Sequence, residues 1–492
     1  MPFSSRTRAA SSTSRRCISI PYTAILLAAS LAACDKAATT ESRRPIGVEP
    51  RAADRLPSRD DADSLRAQAA ARGIVALTRP ARVRESLVRL GQALAFDPIL
   101  SGHRNIACAT CHLPAFATGD ARNLSIGEGG AGFGPDRRLE RGLVIARNAP
   151  PLFNLAAMTS LFWDGRVSLD ATGVFHTPAS AQLTPQMTRV FEFGAASAIG
   201  LFPVTTRPEM RGFALGAPSA TPAPDGNELA LFDDADFTGI WSALMARLGA
   251  IPEYRQMFEA AYPGTPFDAM TFAHASNAMA GFFVERLSFD NSPWDRFLAG
   301  DDAALTPEQF RGAQTFINSN AKCAACHNGP AFSDQKFRNV ALAQFGPGKG
   351  NGPSGRDDFG RVNISGIATE KYAFRTTPLR NVELSAPYGH AGQFAELHDF
   401  VDHYSESDVK LANYDVRQID PSLRSTLLPN TADVLATRSG ALNGLVLTPQ
   451  QIDDLTAYLR ALTDPSARHL NGLMPGRVPS GLPVAGERPP RE

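Results

Sequence analysis

The sequence predicts a mainly α fold made of two related halves with long ordered loops, and three observations lead there. Two short motifs repeat, Cys108-Ala109-Thr110-Cys111-His112 and Cys323-Ala324-Ala325-Cys326-His327. Each follows a stretch with helical apolar periodicity, and no run of alternating apolar and polar residues marks a sheet. The 40 Gly and 37 Pro among 492 residues fit loops that are long but ordered.

The first helical stretch spans 83–94, where Val83, Leu87, Leu90 and Leu94 share one stripe. The second opens with Thr306-Pro307-Glu308-Gln309, an N-cap followed by Pro at the first helical position. Its Phe310, Ala313 and Phe316 fall on one face. Further helices are expected over 241–248 and 270–287.

A chain of 492 residues accommodates two or three domains, each large enough for its own core. Lys plus Arg and Asp plus Glu both number 49, but the first 33 residues carry four Arg and no acid. The remainder is slightly acidic, which leaves no basic face for nucleic acid. Composition also excludes collagen, coiled coil and polytopic membrane protein.

Arg6, Arg8, Arg15 and Arg16 precede an apolar stretch over 18–33, the pattern of an export signal. Leu31-Ala32-Ala33-Cys34 resembles the bacterial lipoprotein box, in which the cysteine is acylated and becomes the mature N-terminus. The stretch is shorter than the ~20 residues a membrane span needs. The expectation is a signal over 1–33, lipidation at Cys34, a periplasmic location and membrane attachment through lipid alone. Residues 34–62 read as a flexible tether, and 471–492, with five Pro and four Gly, as a disordered tail.

Apart from Cys17 in the signal and Cys34 at its end, every cysteine lies in the repeated motif. C-x-x-C-H is the attachment motif for c-type haem. Its two thiols add across the haem vinyl groups, and the adjacent His is placed as the proximal iron ligand. A redox dithiol does not call for His at the next position twice. A four-cysteine zinc site would have to bridge 211 residues and leave both His unexplained. Two covalently bound haem c groups are therefore expected, attached at Cys108, Cys111 and His112 and at Cys323, Cys326 and His327. No thiols are left for disulfides.

Five further motifs carry a resemblance to a known family. They are Arg147-Asn148-Ala149-Pro150, Phe162-Trp163-Asp164-Gly165-Arg166, Ser292-Pro293-Trp294-Asp295, Pro378-Leu379-Arg380-Asn381-Val382 and Ala386-Pro387-Tyr388-Gly389-His390-Ala391-Gly392. With these the chain resembles the bacterial di-haem cytochrome c peroxidase/MauG family from about residue 84 to 462. The resemblance implies an N-terminal peroxidatic haem domain, 63–300, and a C-terminal electron-transfer haem domain, 301–470. It implies that Trp163 relays electrons between the haems and that calcium sits between them, held by Asn148, Ser385 and Pro387. Oxygen-only ligation suits that hard cation. It also implies that a Glu six residues after a Pro moves the proton during peroxide cleavage, which here selects Pro203 and Glu209. Glu128 is the second candidate for that role.

The chain departs from the family's peroxidases in several places. Glu128, in the segment 124–129, stands where many of them have a distal His that caps the first iron. Ile199 stands where the family has a Gln. About 25 extra residues after Trp163, including His176 and Phe191, are expected to loop over the haem edge. Tyr404 stands where the peroxidases place a Met ligand to the second iron; Tyr ligation is the MauG pattern, and His403 is the rival ligand. Phenolate stabilises ferric iron, whereas Met raises the potential. The Gly-rich run 346–352 lacks a phosphate-loop ending and reads as a flexible surface loop.

The implied function is an exported peroxidase that reduces hydrogen peroxide at the first haem, with electrons passed through the second from a small cytochrome c or copper protein. The alternative is a MauG-like enzyme that oxidises residues of a partner protein with high-valent iron. A non-enzymatic electron carrier is the third reading.

Overall fold

Two helix pairs organise the chain, each built around a glycine. In the computed structural model, residues 57–213, 226–318 and 321–486 are described. The signal, Cys34, most of the expected tether and residues 487–492 lie outside the described residues.

In the first half, the helix Glu85–Phe96 crosses the helix Phe272–Arg286. Leu87, Leu90 and Leu94 are fully buried in that crossing, and Val83 packs at its edge. Each Leu contributes roughly 1.5–3 kcal/mol by leaving water. In the second half, the helix Pro307–Asn318 crosses Pro449–Arg460 and buries Phe310, Ala313 and Phe316. Its start is capped reciprocally: the Gln309 amide donates to the Thr306 hydroxyl at 3.3 Å, and the Thr306 amide donates to the Gln309 side chain at 2.9 Å.

The crossings match in detail. A Cβ on Gly91 would sit 1.9 Å from the Ala278 carbonyl oxygen, and one on Gly312 would sit 1.9 Å from that of Asp454. Both helices are thus brought backbone to backbone at one point, and each leads into a cysteine motif. The helices expected over 241–248 and 270–287 occur as Phe237–Gly249 and Phe272–Arg286. Strands among the described residues are two or three residues long, so the architecture is mainly helical.

The expected boundaries need correction at both ends. The helix Arg59–Ala71 begins inside the expected tether, and its Ala62, Leu65 and Ala69 pack into the core of the second half. Arg66 fastens it there, donating to the Phe297 carbonyl at 2.8 Å while its guanidinium lies over the Phe297 ring. Trp294 and Phe297, before residue 300, also belong to that second core. The tail is ordered as far as residue 486 and returns to the first half. Val478, Val484 and Ala485 are buried in its core, and the Ala485 amide donates to the Phe96 carbonyl at 3.1 Å. Its Pro and Gly set turns between apolar anchors, and Ser480 bonds Asp97 at 2.6 Å.

The extra segment after Trp163 packs on the first core. Ser160–Leu161, Val167–Leu169 and Phe175–His176 form a small antiparallel sheet, paired Ser160 to Ser168 and Ser168 to His176. The Gly-rich run closes as a tight turn, with Asn351 bridged to Asp357, rather than as a loose loop.

Gly312→Ala should destabilise the second half, because the added methyl overlaps a backbone oxygen that no rotamer change can move. A loss of about 1–3 kcal/mol is expected in denaturant unfolding. An unchanged midpoint would show that the two helices can separate freely.

Candidate haem sites and the residues between them

The first motif forms a single helical turn, Cys108–Cys111, with His112 just past its end. Nδ1 of His112 lies 2.8 Å from the Thr118 carbonyl oxygen. A carbonyl only accepts, so the ring proton belongs on Nδ1 and the Nε2 lone pair is left for a metal. His327 repeats the arrangement with the Phe332 carbonyl at 3.0 Å. Burial lowers the pKa of both rings, which keeps them neutral, as ligation requires. Burial pushes the Cys108 thiol up to about 11 and the Cys323 thiol to about 12, the opposite of an activated dithiol. Both motifs therefore fit covalent haem attachment with an iron-ligating His.

Glu209 lies in the short turn Arg207–Arg211, which follows the turn Pro203–Thr205. It reaches the first motif through the segment 124–129. The Cys111 thiol touches the Ile126 carbonyl at 3.9 Å, and the Glu128 amide donates to the Glu209 carbonyl at 2.9 Å. Gly127 permits the approach, since a Cβ there would lie 2.2 Å from the Pro208 oxygen. The Glu209 carboxylate is 3.6 Å from Arg166. Glu128 is buried and paired with His103, with its second oxygen unbonded among the described residues. Burial raises its pKa against the pull of His103. Ile199 ends up within the short helix Gly194–Leu201, beside the Ser276 face of the first core. His176 is exposed and bonded to Asp170 at 2.7 Å, and Phe191 packs edge-on against Phe175.

Between the motifs, the Trp163 indole N–H donates to the Asn148 carbonyl at 2.9 Å. The Asn148 amide donates to the His390 carbonyl at 2.9 Å, and its side chain donates to the Arg122 carbonyl at 2.7 Å. Next to them a buried Arg147 bonds Asp164 at 2.6 Å and both oxygens of Asp358 at 2.6 and 2.8 Å. Burial alone would raise the Asp164 carboxyl, but Arg147 and Arg166 outweigh it and hold the group well below the ordinary carboxylate range. His390 is stacked on Phe374 with ring centres 3.6 Å apart, and burial lowers it to about 3. Trp163, Asn148, Ser385 and Pro387 all line one cavity, which extends to Cys323, Cys326 and His327.

Tyr404 lines that same cavity. The helix Leu397–Tyr404 turns Leu397, Val401 and Tyr404 into it, as its periodicity predicts. The Tyr404 hydroxyl has no hydrogen-bond partner among the described residues, and burial raises its pKa. A phenolate would form there only against a compensating metal charge. His403, by contrast, is outside the cavity lining, with Nε2 bonded to the Val340 carbonyl at 2.8 Å.

Comparison with known proteins agrees with this arrangement. Residues 85–303 match the di-haem cytochrome c peroxidase family. The chain is 30% identical over 326 residues to the cytochrome c551 peroxidase of Pseudomonas aeruginosa, covering 65% of this chain and 71% of that protein. It is 28% identical over 324 residues to the methylamine utilization protein MauG of Methylorubrum extorquens, covering 66% and 69% respectively. The chain belongs to the di-haem cytochrome c peroxidase family. The fold agrees: a MauG-like protein associated with microbial copper homeostasis superposes with a TM-score of 0.52 at 24% identity, over 81% of this chain and 96% of that one.

As a member of this family the protein is a di-haem oxidoreductase, and two haem c groups are its cofactors. Among the described residues, no group of three or more His, Cys, Asp or Glu could hold a further metal ion. Sequence reasoning missed Asp358, Arg338 and Arg375. Asp358 follows the Gly-rich run and pairs with Arg147 across 211 positions, and nothing local signals that contact. His103, the partner of Glu128, was missed for the same reason.

Acid–acetone extraction should leave two haems attached to the protein, because thioether bonds survive it. Changing Cys323 and Cys326 to Ala should leave one. Complete loss of colour from the unmodified protein would exclude covalent attachment.

Proposed function

We propose that this protein is an exported peroxidase that reduces hydrogen peroxide at its first haem and draws electrons from a small redox protein through its second. One observation carries the reading: Glu209 sits against the segment that touches Cys111 while its carboxylate faces Arg166. The haem, when bound, supplies the iron that binds peroxide and accepts or gives electrons. Glu209 moves a proton from one peroxide oxygen to the other, and Arg166 keeps its carboxylate in place. Pro203 fixes the turn that presents this segment.

Trp163 serves as the relay, since it lines the cavity of the second motif and is tied by its indole N–H to Asn148. Asn148, Ser385 and Pro387 hold a calcium ion. The Asn148 amide nitrogen is engaged with Arg122, which leaves its carbonyl oxygen as the side-chain donor. Serine and proline carbonyls complete an all-oxygen set. The export pattern and Cys34 support a periplasmic protein held by a lipid anchor.

Tyr404 supports a second reading, in which the enzyme oxidises residues of a partner protein as MauG-like enzymes do. Tyr404 would then hold the second haem's iron through its phenol oxygen, a donor that would favour higher oxidation states over simple electron delivery.

Glu209→Gln should retain both haems but react with peroxide about 10²–10⁴-fold more slowly in stopped-flow mixing. An unchanged rate would move the proton-transfer role to Glu128. Tyr404→Phe should replace a low-spin, oxygen-ligated ferric signal by a high-spin one in electron paramagnetic resonance. Persistence of the low-spin signal would leave Tyr404 a packing residue. Fast turnover with reduced cytochrome c, without modification of any partner seen by mass spectrometry, would select peroxide removal over protein oxidation.

A further inference from the structure

One buried cation in the second cavity has no ion-pair partner among the described residues. Arg375 is only 8% exposed and lines the cavity with Cys323, Cys326 and His327. Its amide donates to the Trp163 carbonyl at 2.8 Å, and its Nε donates to the Phe162 carbonyl at 3.1 Å. These two bonds clamp the residue to the segment that carries Trp163. Its NH1 is buried with no hydrogen-bond partner among the described residues, and no carboxylate lies within salt-bridge distance of the guanidinium. The nearby acids are taken: Asp164 is shared by Arg147 and Arg166, and Asp334 pairs with Arg338 at 2.7 Å. Lys322, also at the cavity, is exposed and bonds the Asn443 carbonyl at 3.2 Å.

An unanswered buried guanidinium is costly, and burial pulls Arg375 down to about 10. Such a group persists where a ligand supplies the missing anion. A guanidinium is a planar fork of donors matched to a carboxylate. The ligand that enters this cavity, haem, carries two carboxylate side chains. We propose that Arg375 binds a propionate carboxylate of the second haem, fixing that edge beside Trp163 and placing a positive charge at the junction between relay and haem. The residue is a positioning group: it touches the cofactor's periphery and acts on its potential.

The sign follows from electrostatics. Ferric haem carries one more positive charge than ferrous haem, so a fixed cation nearby favours the ferrous form and raises the midpoint potential. Removing the charge lowers it.

The inference rests on the second haem occupying this cavity, which haem counting tests separately. Spectroelectrochemical titration of purified Arg375→Met holoprotein, with two haems confirmed by extraction, should show the second haem shifted about tenfold towards ferric at fixed potential. That corresponds to a midpoint lower by about 59 mV for one electron. The first haem should move less than twofold. Arg375→Lys, which keeps the charge, should restore most of the shift. Should the Met variant not mature with two haems, Arg375→Gln removes the charge while keeping a donor for the Phe162 carbonyl and carries the same test. An unmoved second-haem potential in the charge-removing variant, a shift as large at the first haem, or a Lys variant as low as Met would overturn the assignment.

Discussion

The arrangement between the two motifs depends on Arg147. Its guanidinium bonds Asp164, the residue after Trp163 in the segment that follows the strand Ser160–Leu161, and both oxygens of Asp358 in the second half. Three charged groups buried together are expensive to desolvate, and they repay the cost only while their geometry is kept. Removing Arg147 would leave two carboxylates, Asp164 and Asp358, without their shared cation in the interior. The ion cluster thus fixes where Asn148 and Trp163 sit relative to the second cavity, because both residues are chain neighbours of its members. The segment that carries Trp163 is thereby held against the second half.

The halves are further joined by exchange of their ends. The helix Arg59–Ala71 covers the second core, and the tail around Val478 and Val484 covers the first. Each half is completed by chain that belongs, in sequence, to the other. Motion of one half against the other would expose apolar surface at both covers, so the distance between the motifs is held by hydrophobic burial as well as by the ion cluster. The repeated glycine crossings, Gly91 on Ala278 and Gly312 on Asp454, hold each motif-bearing segment against its own core in the same way.

The electrostatics of the two ends differ. On the first side, Glu209 and Arg166 form a partly buried charged pair, while Glu128 is withdrawn further, into contact with His103. On the second side, the cavity is lined by the Tyr404 phenol and by the Arg375 guanidinium, whose NH1 has no hydrogen-bond partner among the described residues.

Much of this was legible in the sequence, and the part that was not has a common cause. The two haem attachment motifs, the stripes of Leu87, Leu90 and Leu94 and of Phe310, Ala313 and Phe316, the Thr306 cap and the inward face of Leu397, Val401 and Tyr404 all follow from residue chemistry and helical period. Those signals are complete within a dozen residues, so the chain alone determines them. The choice between Tyr404 and His403 as the residue facing the cavity was open in the sequence, because adjacent helical positions differ by only about 100°. Tertiary structure decided it by giving His403 the Val340 carbonyl. It also decided the partners of Arg147, Glu128 and Arg375 and the docking of both chain ends. These are contacts between residues 25 to about 400 positions apart. A pairing at such separation leaves no periodic trace, since the energy that selects it exists only once both segments share one desolvated interior.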